Sequence, residues 1–363
     1  MPRAFRSLSS FATVALCVAG ALLAPRATAQ DAPPAPSPQQ QSLARLVGDW
    51  DLEATFFDNG KPIAKMQMQE HVESVCGGLF LLSRVDGDMA GKKLQGYTLK
   101  GWNAFLSRIE GVEVDSMGGP PARSVGNVDL ETGVITWTLT VTTPQGSGST
   151  ESTLTFDGAD KRTELIYAKG PNGEKVQQTL IRSTRHKAKE DAKADAAKAE
   201  PTPAASPEPA SKEHEKLLPF VGTWDVKTKL SIPGIADSPT GTMKSNEQLV
   251  CLGRFVLTRV DGEFGGMPFH GVGLTGYDEQ SELYVSFWGD SFGAYLMASE
   301  GKCSDDGTSF TLVGNSIGPD GKPNTTTDTT RFLGNDKRSA SMVSRDKDGK
   351  EVSTMTLDCV RSK

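Results

Sequence analysis

Long apolar runs are what this sequence lacks most. Apart from Phe11–Ala24, no stretch approaches the roughly 20 residues needed to cross a bilayer. Hydrophobic residues make up 37 % of the 363-residue chain and aromatics only 7 %. Doubly wound α/β sheets and helical bundles draw on apolar runs or helical stripes, and this composition fits them poorly. Histidine is scarce as well. His71, His186, His214 and His270 are scattered, with no His-Glu-x-x-His and no Cys-x-x-Cys. A metal site of the usual spacings is therefore not expected. Lysine and arginine do not cluster and the net charge is −6, which argues against nucleic acid as a partner.

What is present is turn chemistry and alternation. The chain holds 38 Gly and 21 Pro. Asn59-Gly60, Asp157-Gly158, Asn172-Gly173, Asp306-Gly307, Asp320-Gly321 and Asp348-Gly349 are hairpin signals. Between them run strands: Ile135, Trp137, Leu139 and Val141 alternate with four threonines, the period-2 pattern of a half-buried strand.

The ends and the middle carry other signals. Residues 1–29 read as a secretory signal peptide, with Arg3 and Arg6, the apolar Phe11–Ala24 and the small-residue pattern Ala27-Thr28-Ala29. Fourteen apolar residues are too few for a membrane anchor. Cys17 is a poor lipidation site because the bulky Leu16 precedes it. The expected address is periplasmic or extracellular, with no integral membrane segment in the mature chain. Loss of Arg3, Arg6 and Arg26 leaves that chain three charges more negative. Residues 30–41 are expected to be a disordered Pro/Gln tail, and 187–212 an Ala/Lys/Glu/Pro-rich linker.

The linker separates two related units, 42–186 and 213–363. Cys76–Gly118 aligns without gaps on Cys251–Gly293, with 15 of 43 positions identical. Val47-Gly48-Asp49-Trp50-Asp51 returns as Val221-Gly222-Thr223-Trp224-Asp225. One unit written twice, built of eight to ten strands with no crossover helices, implies an all-β protein. Each unit is expected to be an antiparallel meander that closes into a barrel, which removes the exposed edges.

Gly48-Asp49-Trp50 and Gly222-Thr223-Trp224 open the first strand of each unit and resemble the Gly-x-Trp opening of lipocalins and other calycins. The resemblance implies that each Trp packs against an Arg of the last strand, so Trp50 with Arg185 and Trp224 with Arg361. Glu213-His214-Glu215-Lys216, Gly253-Arg254-Phe255, Gly276-Tyr277-Asp278 and Trp288-Gly289-Asp290-Ser291 are similar to the pattern of the bacterial domain-of-unknown-function family 1579. That similarity covers essentially all of 213–363 and implies a calycin-like barrel without naming an activity. The first unit is a diverged copy, with Trp102-Asn103 in place of Tyr-Asp and Glu113 in place of Trp288.

The candidate chemistry follows from the repeat. Arg84 shares a strand face with Phe80 and Leu82, and Arg259 with Phe255 and Leu257. That apolar face is expected to point inward, where an Arg needs a partner. Asp115 and Asp290 are identical between the units, so the expected pairs are Arg84–Asp115 and Arg259–Asp290. They are read first as structural ion pairs, and second as anchors for a ligand carboxylate at the barrel mouth. Tyr277, Tyr284 and Trp288 are candidate lining of a cavity for a small apolar or amphipathic ligand in the second barrel. His270, beside Phe269, reads first as a rim residue. Some small calycin barrels hold haem through one His, so the resemblance implies a haem option at His270, and otherwise no cofactor. Gly289-Asp290-Ser291-Phe292-Gly293 matches a nucleophile elbow in letters alone, since it sits in a β repeat and no His follows it. No other catalytic constellation is present, so a non-enzymatic binder is expected, with a structural module acting through its outer face as the alternative. Cys76, Cys251, Cys303 and Cys359 are open to disulfides or to buried free thiols.

Overall fold

The computed structural model describes residues 37–89, 91–170, 172–186, 209–293, 295–317 and 323–362. The segment expected to be a signal peptide, most of the expected Pro/Gln tail and nearly all of the expected linker lie outside the described residues.

The first unit runs β1 Gly48–Asp58, β2 Lys61–Val75, β3 Phe80–Met89, β4 Lys92–Asn103, β5 Arg108–Asp115, β6 Ala122–Val128, β7 Ile135–Thr143, β8 Gly146–Asp157, β9 Lys161–Lys169 and β10 Lys175–Arg185. The second runs β11 Gly222–Ser231, β12 Thr240–Val250, β13 Phe255–Phe264, β14 Met267–Asp278, β15 Leu283–Asp290, β16 Met297–Cys303, β17 Ser309–Ile317, β18 Pro323–Phe332, β19 Lys337–Arg345 and β20 Glu351–Arg361. In each unit successive strands pair antiparallel and the last closes on the first, giving two ten-stranded barrels without crossovers. No helix among the described residues is long and apolar enough to cross a membrane.

A short helix plugs one end of each barrel. In the first unit it is α1, Pro38–Ala44, which begins inside the stretch expected to be disordered. The Pro/Gln composition conceals a start signal: Ser37 and Gln40 form a capping box, and Pro38 occupies the first turn. The helix then drives Leu43 and Leu46 into the barrel end beside Trp50. In the second unit α2, Lys212–Glu215, and the 3₁₀ turn Leu218–Phe220 do the same with Leu217 and Phe220.

The Trp–Arg contacts are present in both floors. The Arg185 guanidinium carbon lies 4.2 Å from the Trp50 ring centroid, and that of Arg361 lies 4.2 Å from Trp224. Each indole N–H donates to a backbone carbonyl of its plug, Leu46 at 2.7 Å and Phe220 at 2.8 Å. The Gly of Gly-x-Trp now has a reason. Gly48 and Gly222 sit at φ +125° and +132°, and a Cβ there would strike the guanidinium of Arg185 or Arg361.

The register places one correction on the page. Residues paired with Trp50 and Trp224 across the ladders line the lumens. Following that register to β3 and β13 puts Leu81, Ser83 and Val85, and Val256, Thr258 and Val260, inside. Phe80, Leu82 and Arg84, and Phe255, Leu257 and Arg259, therefore face outward. The outer face is apolar because the two barrels dock through it. Phe80, Leu82, Leu99 and Val112 join Phe255, Leu257, Leu274 and Phe287 in one buried cluster. The contact is pseudo-two-fold. Cys76 Sγ donates to Gly289 O at 3.4 Å, and Cys251 Sγ to Val114 O at 3.7 Å. Cys76 and Cys251 are equivalent positions of the repeat, and so are Val114 and Gly289, so one contact is made twice with the roles exchanged. All four described cysteines are free thiols. Burial pushes the Cys76 thiol up to about 12, so it stays protonated as a donor.

Candidate functional site

The lumen of the second barrel is built in three levels. At the floor Trp224, fully buried, is flanked by Arg361 and by Arg338, whose guanidinium carbon lies 4.5 Å from the ring centroid. Arg338 pairs with Glu247, Nη1 to Oε2 at 2.9 Å, and Ser245 Oγ donates to Glu247 Oε1 at 2.7 Å. Tyr277 and Tyr284 belong to this floor. Their rings meet each other, that of Tyr284 also meets Phe310, and the Tyr284 hydroxyl donates to Glu213 Oε2 at 2.8 Å.

Trp288 occupies the middle level. It lies across β14 on Gly271 and Gly273, where a Cβ would meet the indole at 2.4 and 2.8 Å. Two glycines there are the bed that this ring requires. The indole N–H donates to Asp290 at 3.0 Å. Asp290 also accepts the N–H groups of Phe292 and Gly293, at 2.9 and 3.0 Å. Burial raises its carboxyl above the usual range, against those hydrogen bonds.

Several side chains that point into this lumen are only partly buried: Trp288, Ser299, Met342, Met355 and Leu357. Their neighbours inside the barrel leave part of each of these side chains uncovered. Asp328 of β18 shares that interior. Its Oδ1 is buried without a hydrogen-bond partner, as is Thr228 Oγ1. Burial lifts the Asp328 carboxyl to about 6, with Arg338 pulling it down. The folded barrel therefore holds this proton more tightly than the unfolded chain does. The stability it contributes is full below the ordinary aspartate range and is lost as pH rises through about 6. Asp328→Asn is expected to match the native protein near pH 4 and to exceed it by about 3 kcal/mol at pH 7. Urea unfolding at both pH values measures this, and an equal difference at both would remove the raised carboxyl.

The expected Arg pairs do not form. Arg259 reaches across the docking face to Glu73 of the first barrel, with Nη1 to Oε2 at 3.2 Å. Arg84 pairs with Asp86, Nε to Oδ2 at 2.7 Å. Asp115 sits at the lumen rim and accepts the Met117 N–H at 2.7 Å. The physical reason is the misassigned face: an outer wall covered by a second barrel is as apolar as a lumen. His270 also points outward, its Nδ1 2.7 Å from Asp261, so it lies outside the lumen that holds Trp288. Ser291 accepts the His270 N–H at 3.0 Å and leads into a bend, not a helix. Asp328 escaped notice because Asn324-Thr-Thr-Thr-Asp328-Thr-Thr reads as an exposed polar strand. The usable signal was its place in the alternation, in step with Phe332 and Thr330.

A family model described as Protein of unknown function (DUF1579) matches the chain twice, over residues 35–185 and 209–361. Sequence comparison with curated proteins finds no match. Solved structures are similar only at a distance. A protein of unknown function of the DUF3598 family from Nostoc punctiforme is 13 % identical with a TM-score of 0.27, over 89 % of this chain and 99 % of that one. A Mycobacterium tuberculosis protein is 16 % identical with a TM-score of 0.32, over 42 % of this chain and 99 % of that one. The S-type phycobiliprotein lyase of Guillardia theta is 16 % identical with a TM-score of 0.31, over 41 % of this chain and 93 % of that one.

Proposed function

Because this chain belongs, twice over, to the DUF1579 family, which is defined without an activity, we propose its function from the lumen itself: the second barrel binds a small amphipathic molecule without chemistry. The observation that carries the reading is the buried, unpartnered Oδ1 of Asp328 beside inward apolar side chains that are only partly buried. A buried acceptor left unpaired is costly, and a ligand that brings a hydroxyl or N–H donor relieves that cost. The apolar part of the ligand lies against Trp288, Met342 and Leu357. A structural module working through its outer face is less well supported, because the apolar outer wall is already covered by the first barrel. Residues 1–29 support export, so the ligand is met outside the cytoplasm.

Native mass spectrometry of protein purified from its source is expected to retain a ligand mass. Titration with a naphthylamine fluorophore bearing one N–H then assigns the site. Asp328→Leu is expected to weaken it about tenfold while raising the unfolding midpoint, and Trp288→Ala to weaken it as well. A filled interior excludes the probe, and unchanged binding in Asp328→Leu removes Asp328 from the site.

A further inference from the structure

The first barrel departs most from the family pattern, and its lumen is not a weaker version of the second. At its floor the arrangement is kept by different residues. Arg162 stands where Arg338 does, with its guanidinium carbon 4.3 Å from the Trp50 ring centroid. Its partner is Glu70, two residues along β2 from the position equivalent to Glu247. Ser83 Oγ donates to Glu70 at 2.5 Å.

At the middle level the chemistry changes. Glu113 takes the place of Trp288, and Thr98 faces it where Gly273 lay beneath the indole. Ser152 stands at the position of Asp328 and donates to Glu164, which stands on the neighbouring strand at the position of Ala340. Glu113 and Glu164 both point inward and both keep accessible surface. Burial raises both carboxyls; the charges of Glu164 and Glu70 raise Glu113 further, and that of Glu70 raises Glu164. The charge of Lys100 lowers both, after the Ser152 hydrogen bond in the case of Glu164. Its ammonium is not spent on one of them but lies 4.4 Å from the centroid of Trp137. At the floor Glu70 is paired with Arg162, so at the middle level two inward carboxylates, Glu113 and Glu164, share one inward cation, Lys100, before Asp115 at the rim is counted. A second observation points the same way. Ser124, 3 % exposed and inward on β6, has no partner for its Oγ. It lies over Gly111 beside Lys100, since a Cβ on Gly111 would meet Ser124 Oγ at 2.6 Å and Lys100 Cβ at 2.8 Å.

We propose that the first barrel is a second, separate binding chamber, and that it takes a small organic cation, a primary ammonium on a short apolar body. The ammonium supplies the charge missing from the Glu113–Glu164 pair and three donors for their oxygens. The apolar body lies among Met68, Leu139 and Ile181, which line the same lumen. Among the described residues no group of three His, Cys, Asp or Glu is placed to hold a metal ion, which is why the cation is organic.

Calorimetry on the full chain tests this with hexylammonium, hexanol and magnesium chloride. Hexylammonium is expected to bind at least tenfold tighter than hexanol, and magnesium not to compete. Glu113→Gln and Glu164→Gln are each expected to weaken hexylammonium about tenfold or more and to leave hexanol unchanged. Neutralising a carboxyl already raised by burial keeps or raises the unfolding midpoint, so these variants report binding and not misfolding. Asp328→Asn, in the other barrel, is expected to leave the first-barrel site intact. Equal affinity for the amine and the alcohol, absent amine binding, or a loss in Asp328→Asn alone overturns the proposal without touching the second-barrel reading.

Discussion

Leu274→Asp is expected to pull the two barrels apart while leaving each one folded. Leu274 is fully buried, yet it lies on the outer wall of β14, inside the contact between barrels. An aspartate there is costly only while the barrels are docked, because undocking returns it to water. The lost contact includes Phe80, Leu82, Phe255 and Phe287, which are then exposed. Scattering is expected to show an increased radius of gyration, and a hydrophobic dye to gain fluorescence. The far-ultraviolet circular dichroism stays that of a β protein. Leu99→Asp, at the equivalent position of the first barrel and equally buried, is expected to give the same result. A particle that stays compact in both variants would show that the docking face does not hold the barrels together.

The second large effect lies at a barrel floor. Arg338→Met leaves Glu247, whose side chain is 2 % exposed, as a buried carboxylate with only Ser245 to hold it. Removing one partner of such a pair typically costs about 3–5 kcal/mol. The variant also strips Trp224 of one of its two guanidiniums and leaves Asp328 without the cation that lowers its carboxyl. A fall in the urea midpoint of the second barrel alone is therefore expected. Adding Glu247→Leu removes the stranded charge and is expected to restore most of the loss. If the double variant is no better than the single one, the ion pair is not what Arg338 contributes. The equivalent pair, Arg162 with Glu70, gives an independent repeat of the experiment in the first barrel.

Some of this architecture was legible in the sequence and some was not, for identifiable reasons. The duplication, the strand content and the closure into barrels rest on local signals: an ungapped repeat, Gly-based turns and period-2 alternation. The Trp50–Arg185 and Trp224–Arg361 contacts were readable because they join the first strand to the last. The inner face of β3 and β13 was misread because both faces of those strands are covered, one by the lumen and one by the other barrel. Phe80-Leu81-Leu82 and Phe255-Val256-Leu257 are runs without alternation, which was the available sign of double burial. The ion pairs at the barrel floors left no mark in the hydrophobic pattern. Glu247 with Arg338 and Glu70 with Arg162 are long-range pairs, separated by 91 and 92 residues, and nothing local marks them as partners.

The exchanged thiol contacts of Cys76 and Cys251 have a consequence beyond docking. Two identical subunits joined about a two-fold axis must share every mutation, so their pockets can only change together. Here the two halves of such a pair are encoded separately on one chain. A substitution in one lumen leaves the other untouched while the common wall keeps both in place. Glu113 opposite Thr98, where the other half has Trp288 over Gly273, is a change that no symmetric dimer could make on one side alone. The fused pair can therefore divide labour between its chambers.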